Sequence, residues 1–354
     1  MTPIDRLRDY LEKNQLDAFF IQKTPNIRYI SGFKGEDSAL LVTLTHQYIL
    51  TDPRYTEQAS IEVPDYTIIN WRALGHGAAL QSVVAKENLK EIGFEADQVV
   101  FEEYAGVKEV VKADLGPTQH FIEAFREIKT PQEIQYLRNA CDISCRALTR
   151  LLKEIKVGDT EKELGAKLAL YMVEEGADPQ PYGNIIISGA NTSLLHGIPS
   201  SKSIEYGDLL LMDFGCQFNG YLSDMTRTVV VGKATEQQRE VYAIEKQMLQ
   251  DSLSVIKAGA KIQDIHEASL HAVKGTPYEE YIYANIGHGI GMYLHETPML
   301  TAQNEGTLEA GHVVAVEPGI YIPGWGGIRI EDQILVTETG FENMISLLHE
   351  LIEL

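Results

Sequence analysis

Apolar residues recur along this 354-residue chain in two rhythms, and the switches between them outline its elements. Ile4, Leu7 and Leu11 keep to one helix face and predict a helix over residues 3–14. Residues 17–21, 38–43 and 47–51 are rich in strand-forming side chains. The last two are joined by a short turn, and Asp52-Pro53-Arg54 ends the third. Further strands are expected at 90–94 and 98–101, with a helical stretch after Phe101. Together these read as a compact α/β domain over residues 1–125.

A boundary follows at Ile128-Lys129-Thr130-Pro131. Thr130 caps a helix, Pro131 suits its first position, and Glu133 completes a capping box. This helix is expected to reach Lys156 and to be ended by Gly158. A second box, Thr160 with Glu163, opens a helix to about residue 175. From Asn184 onward strands dominate, broken by helices near 236–257 and 262–274. The second domain, residues 130–354, is therefore α+β: two helices precede a largely antiparallel sheet.

Three stretches of this second domain carry unusual polar residues. The apolar strand Leu209-Leu210-Leu211-Met212 ends in Asp213. Asn219-Gly220 then signals a hairpin, and the chain returns through Tyr221 and Leu222 to Asp224. A hairpin of that length sets the two carboxylates side by side, where they repel unless a cation lies between them. Incidental acids on a solvated hairpin are the plainer alternative. Gly287-His288-Gly289-Ile290-Gly291, with His295 and Glu296 following, packs backbone closely around an imidazole. Its spacing is wrong for a dinucleotide-binding glycine loop. Glu317, after Val316, and Glu331, in Ile328-Arg329-Ile330-Glu331-Asp332, end or interrupt apolar runs, where a glutamate needs a partner. Strand alternation puts Arg329 on the face of Glu331, so an internal Arg–Glu pair is the alternative there. Taken jointly, four carboxylates and one imidazole suit two divalent ions held about 3.5–4 Å apart. Oxygen-rich ligation with one nitrogen fits Mn²⁺, Co²⁺, Zn²⁺ or Fe²⁺, and the lack of thiolate argues against a structural zinc site.

Composition narrows the field. The charge of −21, from 51 acidic and 30 basic residues, argues against nucleic acid and disfavours an anionic membrane surface as partners. Apolar residues make up 44%, and no run approaches the length of a membrane span. The first ten residues lack the apolar core of a signal peptide. Three cysteines, Cys141, Cys145 and Cys216, form no paired pattern and fit a reducing compartment, so a cytoplasmic location is expected.

The stretch Met212-Asp213-Phe214-Gly215, Asn219-Gly220-Tyr221 and Ser223-Asp224-Met225-Thr226-Arg227-Thr228 resembles the pita-bread metallopeptidases, in their prolidase and aminopeptidase P branch. Tyr29-Ile30-Ser31-Gly32-Phe33 and Thr51-Asp52-Pro53-Arg54-Tyr55 resemble the creatinase/prolidase N-terminal domain, so the likeness covers nearly the whole chain. It implies an N-terminal α/β domain followed by a pita-bread catalytic domain. It also implies a dinuclear peptidase acting on small peptides, chiefly at Xaa-Pro bonds, with manganese as the first metal to test. Relatives are often homodimers.

By the same resemblance, Asp213 and Glu317 bind different ions, as do Asp213 and His288, while Asp224 and Glu331 help bridge or chelate the pair. His196 and His295 are the substrate-side histidines. Tyr321 and Arg329 support the ligands. Glu317 takes a proton from water activated at the ions and passes it to the leaving nitrogen, and His295 steadies the oxyanion. One position departs. The family has a histidine four residues before the ligand histidine, and here that residue is Ala284. Asn285, beside it, is expected to face away. This departure implies a roomier, less polar wall and slower Xaa-Pro hydrolysis. The segment Gln180-Pro181-Tyr182-Gly183-Asn184 before His196 is also unusual. The rivals are an amide hydrolase of the same fold and a catalytically silent binding module, although silent relatives lose ligands that this chain keeps.

Overall fold

The computed structural model describes residues 2–179 and 183–354, so Gln180, Pro181 and Tyr182 lie outside the described residues. The chain divides into two compact units, Met1–Phe125 and Arg126–Leu354.

The first unit is built on one six-stranded sheet, with strands in the spatial order Thr67–Asn70, Gln47–Thr51, Ala39–Thr43, Ala18–Ile21, Glu91–Glu95 and Asp114–Thr118. Ala18–Ile21 runs antiparallel to Ala39–Thr43 and parallel to Glu91–Glu95. Its side chains alternate between two cores. Ala18 and Phe20 join the cluster of Leu80, Val83 and Ile92, while Phe19 and Ile21 join Leu7, Leu11 and Ile27. A strand covered on both faces reads as a continuous apolar run, as this one does. One expectation fails here. Residues 98–101 form no strand; they run through a turn, and Phe101 opens the helix Phe101–Val110, whose first turn carries Glu102 and Glu103. The sixth strand is Asp114–Thr118, an edge strand whose Asp-Leu-Gly-Pro-Thr sequence carries no strand signal.

The second unit opens with the helix Pro131–Leu151. Thr130 and Glu133 form the expected capping box, and its apolar stripe buries Leu137, Cys141, Ser144 and Leu148. Regular helix stops at Leu151, short of Lys156, because the next amides tighten onto carbonyls three residues back. Gly158, at φ 97°, then turns the chain. The second box, Thr160 with Glu163, opens the helix Glu161–Glu174. The helices Glu236–Ser254 and Ile262–Leu270 also match the pattern read from sequence, and no helix among the described residues is long and apolar enough to cross a membrane.

Every strand pair in this unit is antiparallel among the described residues. Ile185–Ser188, Leu209–Phe214 and Met225–Val230 form one sheet. Glu296–Thr301, Asn285–Gly289, Val313–Val316, Asp332–Val336 and Phe341–Asn343 form a second. Two short hairpins, Gln217–Phe218 with Tyr221–Leu222 and Gly319–Ile322 with Gly326–Arg329, complete the set among the described residues. Helix and sheet meet over Val241, Leu249, Ile265, Val314, Ile328 and Ile334. Cys141, Cys145 and Cys216 are free and buried.

Candidate metal centre

Asp213 and Asp224 come from one long hairpin. Leu209–Phe214 pairs with Met225–Val230 so that Thr226 stands opposite Asp213. At its tip, Asn219 and Gly220 have φ of 49° and 86°, the positive pair that a tight hairpin turn needs. The main-chain N–H of Asp224 donates to Gln333 Oε1 at 2.9 Å.

His288 lies on Asn285–Gly289, between two other strands. Gly287, at φ 152°, faces the Ala315 carbonyl, and Gly289 faces that of Thr297; a Cβ at either would collide with backbone. Both glycines are therefore required by close strand approach. The ring donates through Nδ1 to the Gly289 carbonyl at 3.0 Å, which leaves Nε2 as the acceptor nitrogen. Nε2 lies 3.6 Å from Asp224 Oδ2 and 3.5 Å from Glu317 Oε1. Burial keeps this imidazole below its ordinary pKa, as a neutral ligand requires.

Glu317 follows Val313–Val316, and its N–H donates to the Ile286 carbonyl at 2.8 Å. Glu331 precedes Asp332–Val336, and its N–H donates to the Thr226 carbonyl at 3.1 Å. Arg329 is the cation that serves this group. It pairs with Asp213, donates to Tyr321 Oη at 2.8 Å and to Thr226 Oγ1 at 3.0 Å, and lies 3.9 Å from Glu317. Although burial opposes its charge, Tyr321 and Asp213 hold it above the ordinary guanidinium range. Burial lifts the Glu317 carboxyl to about 7 and the Tyr321 phenol to about 12, and it drives Glu331 well above the usual carboxylate range.

These carboxylates outnumber the local cations, and Glu331 Oε1 is buried without a hydrogen-bond partner. One ligand atom each from Asp224, His288 and Glu331 falls within 4.8 Å of the others. A divalent ion fits that orphaned oxygen and balances the acids. Asp213, Asp224, His288, Glu317, Glu331, His196, His295, Tyr321 and Arg329 all line one cavity of about 340 Å³. His295 stacks edge-on against His288, with ring centroids 4.4 Å apart, and burial together with that neighbour lowers its pKa.

Residues 135–338 match metallopeptidase family M24, and residues 3–128 match the creatinase/prolidase N-terminal domain. The chain belongs to metallopeptidase family M24. Its catalytic unit has the family's pita-bread fold, and its chemistry is that of a metal-dependent peptidase. An M24 relative, the Xaa-Pro dipeptidase of Pyrococcus furiosus, is 31% identical over 99% of each chain. Two solved M24 structures superpose closely. The Xaa-Pro dipeptidase from Bacillus anthracis has TM-score 0.93 and 35% identity over 99% of each chain. The X-Pro aminopeptidase from Thermotoga maritima has TM-score 0.90 and 30% identity, over 98% of this chain and all of the other.

The structure corrects the reading of residue 284. Ala284 is exposed and is not among the residues lining the M24 cavity, whereas Tyr283 and Asn285 on either side of it are. Register shifts between Asn285 and His288 break the alternation that would have turned Asn285 away. Sequence reasoning also passed over Glu245. It is fully buried on Glu236–Ser254 and accepts from the Ile330 N–H at 3.0 Å. Burial pushes its carboxyl well above the ordinary range. An acid on the same helix face as Val241, Tyr242, Met248 and Leu249 was the available signal.

Proposed function

We propose that this protein hydrolyses Xaa-Pro bonds in small peptides, as a dipeptidase or in the aminopeptidase P manner. In this reading two divalent ions are held by Asp213, Asp224, His288, Glu317 and Glu331. The observation that carries it is the convergence of these five side chains on one cavity that leaves Glu331 Oε1 buried and unpartnered. The similarity to Xaa-Pro dipeptidases and an X-Pro aminopeptidase supports the bond type. Mn²⁺ is the first metal to test, with Co²⁺, Zn²⁺ and Fe²⁺ as alternatives suited to the same donor set.

When bound, the ions supply Lewis acidity and lower the pKa of water toward neutrality. Glu317, whose Oε1 lies 3.5 Å from His288 in the same cavity, is placed to take a proton and return it to the leaving nitrogen. His295 donates to the developing oxyanion, and His196, which lines the same cavity, binds substrate. Arg329 pairs with Asp213 and is itself steadied by Tyr321. Residues 1–125 and 130–354 act as the N-terminal and catalytic domains. The same reading makes the protein a cytoplasmic homodimer; light scattering tests the oligomeric state.

The deciding experiment is hydrolysis of Xaa-Pro dipeptides, Xaa-Pro-Yaa tripeptides and proline-free peptides after loading with Mn²⁺, Co²⁺ or Zn²⁺. Cleavage confined to proline-containing peptides is expected. Equal rates on proline-free peptides would reject the bond assignment, and inactivity with every metal would reject the enzyme.

A further inference from the structure

Beside His295 lies a buried charged cluster that the proposed reaction does not use. Arg126, Lys129 and Glu296 are only 3%, 5% and 7% exposed. Arg126 Nη2 donates to Glu296 Oε1 at 2.7 Å, and Lys129 Nζ lies 3.4 Å from Glu296 Oε2. The N–H of Tyr293 donates to the same Oε1 at 3.0 Å, so the carboxylate also closes the turn that carries His295. The turn is packed tightly onto it, since a Cβ at Gly291 would lie 2.6 Å from Glu296 Oε2. Gly291 in turn accepts from the Leu222 N–H at 2.8 Å, which ties residues 290–296 to the hairpin bearing Asp213 and Asp224.

Two histidines of the cavity are held in different ways. His288 is oriented by its own ring hydrogen bond to Gly289. Among the described residues the ring of His295 makes no hydrogen bond, so its direction depends on its backbone and on the His288 ring. Burying three charges costs several kcal/mol each before pairing is counted, and such groups are best justified where they select one conformation. We infer that the Arg126–Glu296–Lys129 cluster is a positioning device: it locks the turn 290–296 so that the His295 imidazole faces the metal cavity. Glu296 is thus a positioning residue acting through His295, and its role rests on the reading of His295 as a substrate-side group.

Glu296→Gln and Arg126→Gln each weaken the pairing without emptying the space. In the metal-loaded enzyme, hydrogen exchange of amides 291–296 should quicken at least about tenfold in both, with metal content unchanged. This readout is independent of activity, so it separates failure of the brace from failure of the peptidase assignment. kcat should fall about tenfold with KM nearly unchanged, because the lost orientation is felt in the transition state. In a His295→Ala background Glu296→Gln should cost nothing further. The conservative Arg126→Lys should restore much of the loss. Unchanged exchange in the turn, or a full additional loss of kcat on top of His295→Ala, overturns the proposal.

Discussion

Thr226 donates its hydroxyl hydrogen to Oε2 of Glu331, 2.6 Å away, and accepts from Nε of Arg329 at 3.0 Å. Because Arg329 can only donate, the Thr226 oxygen accepts there and its hydrogen remains for the carboxylate. The hydroxyl therefore supports one carboxylate oxygen and leaves Oε1 for an ion. Thr226→Val keeps the shape and removes both bonds. Groups that hold a ligand in place typically contribute about tenfold to a hundredfold in metal affinity or activity, and a loss in that range is expected. Thr226→Ser should retain most of it. Titration of the apoprotein with Mn²⁺ measures the effect, and equal affinity in the valine variant would remove Thr226 from the site.

Replacing a ligand itself should cost more. Glu331→Gln and Asp224→Asn each delete a negative charge from a group that must balance dications, while changing volume little. Metal content per chain and the hydrolysis rate should fall together, by more than the about hundredfold upper range for supporting groups. Elemental analysis of the purified variants decides the point. Full stoichiometry with full activity would falsify the ligand assignment.

A buried histidine elsewhere in the catalytic unit makes a pH-dependent contribution to its stability. His312 is buried, and its Nδ1 accepts from the Glu309 N–H at 3.0 Å. Burial, and then the nearby Lys129 ammonium, pull its imidazole down to about 4. The unfolded chain binds this proton near pH 6.5, whereas the folded chain does not, so the contribution is whole above about pH 6.5 and is lost as pH falls toward 4. Between pH 7.5 and pH 5 the loss should be about 2 kcal/mol. Asn at 312 offers an oxygen to the same N–H and cannot titrate. Urea unfolding of wild type and His312→Asn at both pH values should show that extra loss in wild type alone, and parallel losses would refute it.

The sequence made the acids and imidazole of the cavity visible because each stands where an apolar run is ended or interrupted. Asp213 ends Leu209-Leu210-Leu211-Met212, and Glu317 follows Val313–Val316. Local chemistry was enough for Asn219-Gly220 and for the Thr130 and Thr160 caps, since each needs only neighbours within four residues. What escaped depends on distant partners. Asp114–Thr118 is a strand only because Glu91–Glu95 offers it a parallel edge. Glu245 is buried because Ile330, far along the chain, supplies its N–H. The orientation of Asn285 was lost to register shifts in its pairing with Glu296–Thr301, which no residue near it in sequence announces.

Those shifts change which residue meets substrate. The absence of a histidine at 284 points, by resemblance, to a missing polar wall. In the structure Ala284 is exposed, and its carbonyl accepts from His266 Nε2–H at 2.9 Å. Asn285 lines the cavity instead, and among the described residues its carboxamide makes no hydrogen bond. A free donor and acceptor in a cavity that takes peptides can serve a substrate carbonyl or amine. A neutral hydrogen bond of this kind contributes about 0.5–1.5 kcal/mol, or about twofold to tenfold in kcat/KM. Asn285→Ala should therefore lower kcat/KM for Xaa-Pro dipeptides by that factor, mainly through KM if the contact is already made in the ground state. Ala284→His, by contrast, adds a ring at an exposed position and should leave kcat/KM within about twofold, below the smallest step that a new hydrogen bond typically makes. Assaying both variants on the same dipeptides tests the two placements together. A large gain from the histidine with no loss from the alanine would return residue 284 to the cavity wall and remove Asn285 from it.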